Sequence, residues 1–296
     1  MTPIHSRTDT GDTTPDFVRF CELSLDDVAL LSPRTMIYAA SGTRRAAALN
    51  GISTSGDEFA VWTQGELFRT IELLFLHGIC HLFMPMLGPS QFNEATPEYQ
   101  KHLWRWFEEG LTGTDAIAKY QRAGWRVRIA GSEYISELKQ AGRRLIEQTP
   151  NDASHTLWCY AIPAYETPWR WMLEAAQTAQ AKTLADAKNA LYGDNIPPAS
   201  LYLSTGKPLM SSLQLPPLLV NGPLQCYWSQ RPGYSLDQRQ LRAIIYDYAY
   251  LRKTWKKDKS GRAEQALAER DLWERGNVLG LGIRKGPFWY PAPFED

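Results

Sequence analysis

Short apolar runs alternate along the chain with longer segments in which apolar residues recur at helical spacing. The apolar runs predict six β-strands, at residues 36–40, 79–85, 125–131, 155–162, 199–204 and 223–229. The periodic segments predict helices, at residues 24–32, 57–77, 98–120, 133–148, 167–192, 236–255 and a short stretch up to 275. This alternation is typical of a mostly parallel sheet with helices on both faces, so we expect an α/β fold.

Local signals support the ends of several elements. Ser24 is a suitable N-cap for the first helix, and Gly193 is placed to close the helix that begins at residue 167. Pro85 is expected to end the second strand, because it has no N–H to donate. The final stretch, residues 277–293, is rich in Gly, Pro and aromatic residues and predicts irregular structure.

The length of 296 residues allows one large domain or two small ones, and no change in composition marks a boundary. Residues 1–16 are rich in Thr, Asp and Pro and predict a disordered tail, which leaves residues 17–296 as a single domain. The N-terminal stretch lacks the apolar core of a signal peptide, and no apolar run reaches transmembrane length. We expect a cytoplasmic protein without stable membrane insertion.

The charge balance and the cysteine pattern limit the classes of partner and the kinds of site that we expect. Lys plus Arg equals Asp plus Glu, 32 of each, which argues against nucleic acid or an acidic membrane as the general partner. The four cysteines are isolated and have no metal-ligand spacing to a histidine, so we expect reduced, buried thiols. Aromatic residues make up 12% of the chain, which indicates a large apolar cavity, an interface or a Trp-rich core.

The segment "YAASGTRRAAALNG", residues 38–51, follows the first predicted strand. Ligands of parallel sheets bind beyond the carboxyl ends of the strands, where this segment lies. Gly42 and Thr43 expose backbone N–H groups, and Arg44 and Arg45 add positive charge with the fork geometry that suits phosphate oxygens. The residues alone leave two interpretations open, an anion site or a surface loop with two solvated arginines.

Common catalytic signatures are absent from the sequence. It contains no Walker motif, no G-x-S-x-G elbow and no H-E-x-x-H zinc motif, and the spacing of "GLGIRKG" does not match a dinucleotide fingerprint. His77, His81, His102 and His155 form no recognisable cluster, and we interpret them as structural.

The segment "ASGTRRAAALNG" resembles a signature in which the motif D-G-x-x-R-W lies between a strand and a helix. That signature binds diphosphate in the cis-prenyltransferase (undecaprenyl diphosphate synthase) superfamily. The chain is most similar to one branch, the bacterial diterpene synthases of the tuberculosinol synthase and kolavelool synthase type. The resemblance rests on G-T-R-R at 42–45, H-G-I at 77–79, Y-D-x-x-Y-L-R at 246–252, and G-x-G with an aromatic pair at 280–282 and 289–290. In order and spacing, the resemblance covers nearly everything from about residue 33 to residue 291.

Three departures from the superfamily pattern stand out. Ser41 occupies the position of the Asp that holds Mg²⁺ against the diphosphate in the family. The arginine-rich motif that holds isopentenyl diphosphate in chain-elongating members is replaced by residues 204–212, in which Lys207 is the only charge. A Glu that serves as a second Mg²⁺ ligand in elongating enzymes has no clear counterpart in residues 214–228.

The resemblance implies a cis-prenyltransferase-like fold, Mg²⁺ as cofactor and a set of site residues. The implied diphosphate-binding residues are Gly42, Thr43, Arg44 and Arg45. The implied catalytic residues are Ser41, Arg44, Arg45 and Phe59. The hydrocarbon pocket is expected to include Tyr38, Trp62 and Trp289, for each of which core packing is the alternative. Asp247 is a weak candidate for a metal ligand, with a salt-bridge partner on a helix face as the alternative.

The missing arginines disfavour a second diphosphate, so the resemblance implies a one-substrate reaction. A bicyclic diterpenyl diphosphate of the kolavenyl or halimadienyl type, supplied by a class II diterpene cyclase, would ionise and be quenched by water to an alcohol. One alternative is a short-chain or irregular cis-prenyltransferase. Another is a non-catalytic subunit of a heteromeric cis-prenyltransferase, which Ser41 favours and the paired arginines disfavour. The fold implies a homodimer.

Overall fold

The computed structural model describes residues 14–54, 56–93, 97–132, 135–252, 260–274, 276 and 278–292. The central strands of this part of the chain are β1 (Thr35–Ala39), β2 (His81–Leu87), β3 (Trp125–Ala130), β4 (His155–Ala161), β5 (Leu201–Thr205) and β6 (Gln225–Ser229). They form one sheet in the order β3-β4-β2-β1-β5-β6, and every neighbouring pair is parallel. The six predicted strands and the parallel sheet are confirmed.

The first helices of the described chain are α1 (Phe17–Cys21), α2 (Leu25–Leu31), α3 (Thr43–Leu49), α4 (Gly56–Leu76), α5 (Pro89–Phe92), α6 (Pro97–Thr112) and α7 (Thr114–Ala123). The later helices are α8 (Ser136–Gln148), α9 (Thr167–Thr178), α10 (Leu184–Tyr192), α11 (Gln238–Tyr246), α12 (Arg262–Ala268) and α13 (Arg270–Glu274). Ser24 caps α2 by accepting a hydrogen bond from the Asp27 N–H at 3.1 Å, as predicted.

Alternate residues of the buried strands feed two hydrophobic cores, one on each face of the sheet. Met36 and Tyr38 of β1 pack into the larger core with side chains of α4, α7, α8 and α11. Ile37 and Ala39 pack into the smaller core with Trp171 of α9 and side chains of α10. Because β1 and β5 are buried at every position, helices cover both faces, and the expected architecture is confirmed.

Two helices that the periodicity predicts as single are each broken in two. The segment 98–120 divides at Gly113, whose backbone is extended and whose added Cβ would collide with the Glu109 carbonyl oxygen. The segment 167–192 divides between α9 and α10, where Gln180 has a φ of 48° and Thr183 starts α10 through a capping box with Asp186. Apolar periodicity continued through both breaks, so it did not reveal them.

The prediction that Pro85 ends β2 is wrong, because the strand continues to Leu87. β1 pairs with β2 only as far as Phe83, so the missing N–H of Pro85 leaves no gap in that ladder. On the other side Pro85 pairs with Tyr160, and the register shifts between Pro85 and Leu87. This irregular end of β2 borders the site described below.

The prediction of irregular structure after residue 276 is also wrong. The strands β7 (Gly282–Lys285) and β8 (Phe288–Pro291) form an antiparallel hairpin. Gly282 has a packing reason, because an added Cβ would collide with the Tyr290 carbonyl oxygen and the Trp289 ring. The Gly and Pro residues that favoured irregularity therefore belong to a tight two-stranded unit.

Two other expectations concern the ends of elements and of the chain. The predicted helix 236–255 begins as α11 and passes into a π-helical turn over Asp247–Leu251. Of the predicted tail, residues 1–13 lie outside the described residues, and Asp16 caps α1. Among the described residues, no helix combines the length and the apolar character needed to cross a bilayer.

Candidate functional site

The connection from β1 to α3 lies at the carboxyl edge of the sheet and is shaped by Gly42. Gly42 has a φ of 78°, in the left-handed region that side chains other than Gly disfavour. An added Cβ there would lie 2.6 Å from Arg45 Nη2. The glycine therefore permits both the turn of the chain and the close approach of the Arg45 guanidinium.

Hydrogen bonds from two directions fix Ser41 at the start of this loop. Its N–H donates to Thr205 Oγ1 at 2.6 Å, its hydroxyl donates to the Thr205 carbonyl oxygen at 2.7 Å, and its carbonyl accepts from the Thr205 hydroxyl at 2.9 Å. The Gly233 N–H also donates to the Ser41 carbonyl oxygen, at 2.6 Å. Ser41 thus ties the loop after β1 to the end of β5 with neutral groups alone.

A cavity of about 600 Å³ opens beside the loop. Its walls come from the loop, the end of β2, and helices α4 and α6, and they include Gly42, Thr43, Arg44, Phe59, Leu67, Met86, Trp106 and Phe107. We call it the large cavity. Its volume falls in the range of about 300–1,000 Å³ that small-molecule pockets occupy. Phe59 and Trp106 meet edge to face in its wall, with ring centroids 5.6 Å apart.

A second cavity, of about 330 Å³, lies on the other side of the loop. We call it the small cavity. Its walls come from the loop, the segment after β5 and the C-terminal hairpin, and they include Ser41, Arg45, Ser204, Thr205, Lys207, Phe288 and Trp289. The Arg45 guanidinium carbon lies 5.4 Å from the centroid of the Phe288 ring, within the range of a cation–π contact. Ser41 lines both cavities, so the loop is the wall between them.

The structure brings most of the predicted site residues to this loop and its cavities. Gly42, Thr43, Arg44 and Phe59 line the large cavity, and Arg45 and Trp289 line the small one. The segment that replaces the arginine-rich motif also reaches the site, because its single charge, Lys207, lines the small cavity.

Two predicted pocket residues lie elsewhere. Tyr38 is fully buried in β1, where its hydroxyl donates to the Gly233 carbonyl oxygen at 3.1 Å and burial raises its pKa. Its ring lies 6.4 Å from that of Tyr234, which does line the large cavity. Trp62 is half-buried on α4 and lines neither cavity. For Tyr38 the packing alternative describes the structure, whereas Trp62 is in neither of the two hydrophobic cores.

Trp106 and Phe107 are cavity residues that the sequence interpretation missed. A signal for them exists, because Leu103, Phe107 and Leu111 recur at a spacing of four residues within α6. All three line the large cavity. The helical period identified an apolar face here, but it did not tell a face that borders a cavity from one that packs in the core.

Asp247, the weak metal candidate, is engaged in a local network. Its carboxylate lies 2.6 Å from Arg252 Nε and accepts a hydrogen bond from the Tyr227 hydroxyl at 2.7 Å. Burial, and then the bond to Asp247, raise the pKa of Tyr227. Asp247 lines neither cavity, so its position matches the salt-bridge alternative.

The residues around the loop do not form a carboxylate site for Mg²⁺, an ion that proteins usually hold through one or two carboxylates together with substrate phosphates. Within the described ranges, no group of three or more His, Cys, Asp or Glu side chains is placed to hold a metal. The position before Gly42 offers a neutral hydroxyl that donates to a backbone carbonyl. The acids that line the large cavity are Glu109 and Asp115, both exposed and on helices rather than on the loop.

The histidines interpreted as structural lie apart from the loop or pack against other rings. His81 and His155 begin β2 and β4, at the amino edge of the sheet, and burial lowers the pKa of His81 to about 4. His77 is buried and its Nδ1 lies 2.8 Å from the Leu73 carbonyl oxygen. His102 stacks on Trp106 with ring centroids 5.5 Å apart.

Two known proteins are similar to the chain over most of its length. No family model matches the chain. The chain is 45% identical over 278 residues to the (+)-kolavelool synthase of Herpetosiphon aurantiacus, covering 94% of this chain and 96% of the relative. It is 22% identical over 298 residues to the tuberculosinyl adenosine transferase of Mycobacterium tuberculosis, covering 92% and 96% respectively.

Solved structures share the fold at low sequence identity. The lavandulyl diphosphate synthase of Lavandula x intermedia, in complex with dimethylallyl diphosphate, has a TM-score of 0.58 at 13% identity and covers 75% of this chain and 97% of its own. A probable undecaprenyl diphosphate synthase of Campylobacter jejuni has a TM-score of 0.55 at 15% identity and covers 76% and 99%. The matches span nearly the full length of both solved chains.

Proposed function

The chain belongs to the diterpene synthases of the cis-prenyltransferase fold, a family that includes kolavelool synthase, and from that premise we propose that it ionises a bicyclic diterpenyl diphosphate of the kolavenyl or halimadienyl type. Water then quenches the cation to an alcohol such as kolavelool, and diphosphate is released. The observation that carries the proposal is the position of the Gly42–Arg44 segment at the wall of an aromatic-lined cavity of about 600 Å³.

The loop supplies the groups that the departing diphosphate needs. Backbone N–H groups at Gly42 and Thr43 and the guanidinium groups of Arg44 and Arg45 would stabilise the negative charge that develops on the leaving oxygen. In this proposal the role of Ser41 is to hold the loop in this shape through its bonds to Thr205. The reacting C–O bond breaks and its electron pair leaves with the diphosphate.

The large cavity would hold the hydrocarbon. Phe59 and Trp106 present aromatic rings in its wall, and ring faces stabilise a nearby cation through their quadrupoles. Trp289 lines the small cavity, so its proposed contact is with the polar end of the substrate rather than with the ring system.

We propose Mg²⁺ as the divalent cofactor, as the family resemblance implies. The residues around the loop offer it no carboxylate pair, so the proposed ionisation depends on the N–H and guanidinium groups of the loop. The proposal is tested by chelation in the assay below, in which activity should be lost with excess EDTA and return with added Mg²⁺.

The test of the function is a product assay. Purified protein with Mg²⁺ is given geranylgeranyl, kolavenyl and halimadienyl diphosphates separately, and the extracts are analysed by gas chromatography–mass spectrometry. We expect an alcohol from one bicyclic substrate. Product only when isopentenyl diphosphate is added would instead support a short-chain or irregular cis-prenyltransferase. No product under any condition would contradict the proposed reaction and favour a subunit that needs a catalytic partner.

We also propose a homodimer that acts in the cytoplasm and receives its substrate from a class II diterpene cyclase. Large apolar side chains are strongly exposed near the C-terminus, and such patches mark interaction surfaces. They include Leu267, Leu272, Trp273, Val278 and Leu279. Light scattering after gel filtration should give twice the chain mass of 33.6 kDa. The double variant Trp273→Asp, Leu279→Asp should shift the measured mass toward that of the monomer. A wild-type protein with the mass of a monomer would contradict the dimer.

A further inference from the structure

The helices α4 and α6 contact each other along one wall of the large cavity. The rings of Phe59 and Trp106 meet at one level, with centroids 5.6 Å apart. About one turn further along both helices, Gln64 Nε2 donates to the Gly110 carbonyl oxygen at 3.0 Å. Thr63 follows Phe59 by four residues, on the same face of α4, and lies between these two contacts.

Two polar atoms in this wall have no hydrogen-bond partner. Thr63 Oγ1 and Trp106 Nε1 are buried and unpaired, and both residues line the large cavity. Among the buried side-chain atoms without a hydrogen-bond partner in the described part of the chain, these two alone belong to residues of that cavity. Buried polar groups are almost always bonded to protein or to ordered water. Because both residues border the large cavity, a molecule held there is a candidate partner for each atom.

On the basis of the proposed function, we propose that Thr63 and Trp106 hold the water molecule that captures the diterpenyl cation. A threonine hydroxyl both donates and accepts, and an indole N–H donates, so the pair suits one water molecule. Gln64, whose amide nitrogen is already bonded to Gly110, keeps its carbonyl oxygen as a second acceptor in the same wall. The site adjoins the Phe59 and Trp106 rings, beside which a cation is stabilised.

The step balances with the water as the only added reactant. Departure of the diphosphate breaks the allylic C–O bond, and the electron pair leaves with the diphosphate. A lone pair of the held water then forms the new C–O bond, and the resulting oxonium gives its proton to the released diphosphate. Without an ordered water, the cation loses a proton from an adjacent carbon to the same base, and the product is a diene.

The test compares the ratio of alcohol to hydrocarbon in a set of variants. Thr63→Val removes the hydroxyl at nearly constant volume, and Trp106→Phe removes the N–H but keeps a ring. We expect the ratio to fall about tenfold in Thr63→Val and about threefold in Trp106→Phe. Thr63→Ser, which keeps the hydroxyl, should stay within about twofold of the wild type.

A matched control lies on α6. Thr112 is buried, its hydroxyl donates to the Glu108 carbonyl oxygen at 2.7 Å, and it lines neither cavity, so Thr112→Val should leave the ratio unchanged. Reactions in H₂¹⁸O establish that the alcohol oxygen comes from water. Because the readout is a ratio of products, a variant with reduced total activity still reports on the proposal, and Thr63→Ala serves if Thr63→Val does not fold.

An unchanged ratio in both Thr63→Val and Trp106→Phe would overturn the water site. So would a wild-type enzyme that forms hydrocarbon alone, because the synthase reaction would then stand without a water step. A wild-type enzyme that forms nothing from any diphosphate would contradict the proposed function itself, which separates the two failures.

Discussion

The large and small cavities share one wall but are built from different parts of the fold. Helices α4 and α6 supply most of the large cavity, and their inward faces are aromatic and aliphatic. Strand ends and the C-terminal hairpin supply the small cavity, with two cations, Arg45 and Lys207, and the hydroxyls of Ser204 and Thr205. In the proposed reaction the labour would be divided: the helix faces would decide which hydrocarbon fits, and the loop between the cavities, with Arg44 and Arg45, would decide where charge is held.

The strongest test of this division is the pair Arg44→Ala and Arg45→Ala, because the two arginines face different cavities. Loss of one donor to a transition-state oxyanion costs about 2.7–4 kcal/mol, so Arg44→Ala should lower kcat/KM by about 10²–10³-fold. Arg45→Ala should lower it by about tenfold, since Arg45 is also engaged with Phe288. Steady-state release of diphosphate measures both.

The control for this pair is Arg170→Ala on α9, where the guanidinium is exposed and lies 4.0 Å from Glu174, and kcat/KM should not change. A larger loss in Arg45→Ala than in Arg44→Ala would place the diphosphate on the side of the small cavity.

Gly42→Ala tests whether the wall between the cavities needs its present shape. The new Cβ would both strain a backbone with a φ of 78° and press on Arg45, so we expect a 10–100-fold loss of kcat/KM, equivalent to about 1.4–2.7 kcal/mol. Gly51→Ala is the matched control: its φ is 72° and nothing lies within 4 Å of an added Cβ. It should lose stability, by about 1–2 kcal/mol, but keep its activity. Equal activity losses in the two variants would mean that backbone strain alone accounts for the effect.

The same substitution in each cavity sharpens the comparison further. Phe59→Leu removes an aromatic ring from the large cavity, and Phe288→Leu removes one from the small cavity. Because only the first ring is placed against the hydrocarbon, we expect about a tenfold loss of kcat in Phe59→Leu and less than about threefold in Phe288→Leu. Product profiles should change in Phe59→Leu alone. The reverse pattern would move the hydrocarbon to the small cavity.

The smallest effect is expected for Tyr38→Phe, beneath the wall. The substitution removes the hydroxyl that donates to the Gly233 carbonyl oxygen but keeps the ring in the core. We expect a loss of about 1 kcal/mol in the free energy of unfolding, measured by urea denaturation, and an unchanged product profile. A changed product profile with unchanged stability would instead support Tyr38 as a residue of the hydrocarbon pocket.

The sequence was a good guide to the sheet because each strand is a short apolar run that needs no long-range information. It was a poorer guide to breaks, since Gly113 acts through a collision with a carbonyl oxygen and Gln180 through an unusual φ. The prediction that Pro85 ends β2 was wrong because the effect of a proline depends on which neighbouring strand pairs with it. These outcomes depend on contacts that no local pattern encodes.

The candidate site was also only partly predictable from the sequence. The loop at residues 41–45 was found because its turn chemistry and charges are local. The aromatic wall was only partly found, because Tyr38, Trp62 and Trp106 are all large aromatic residues and only the fold decides which of them borders the cavity. The hairpin over the small cavity was missed because its Gly and Pro residues also favour irregular structure.

The shared position of Ser41 has a thermodynamic consequence. Because one residue lines both cavities and is bonded to Thr205 at the end of β5, a ligand that shifts it from one side alters the other side as well. Such coupling is reciprocal: whatever factor a molecule in the small cavity applies to binding in the large one, the large-cavity ligand applies to the small one in return. A ligand that moves Ser41 in one cavity would therefore change the affinity measured for the other cavity.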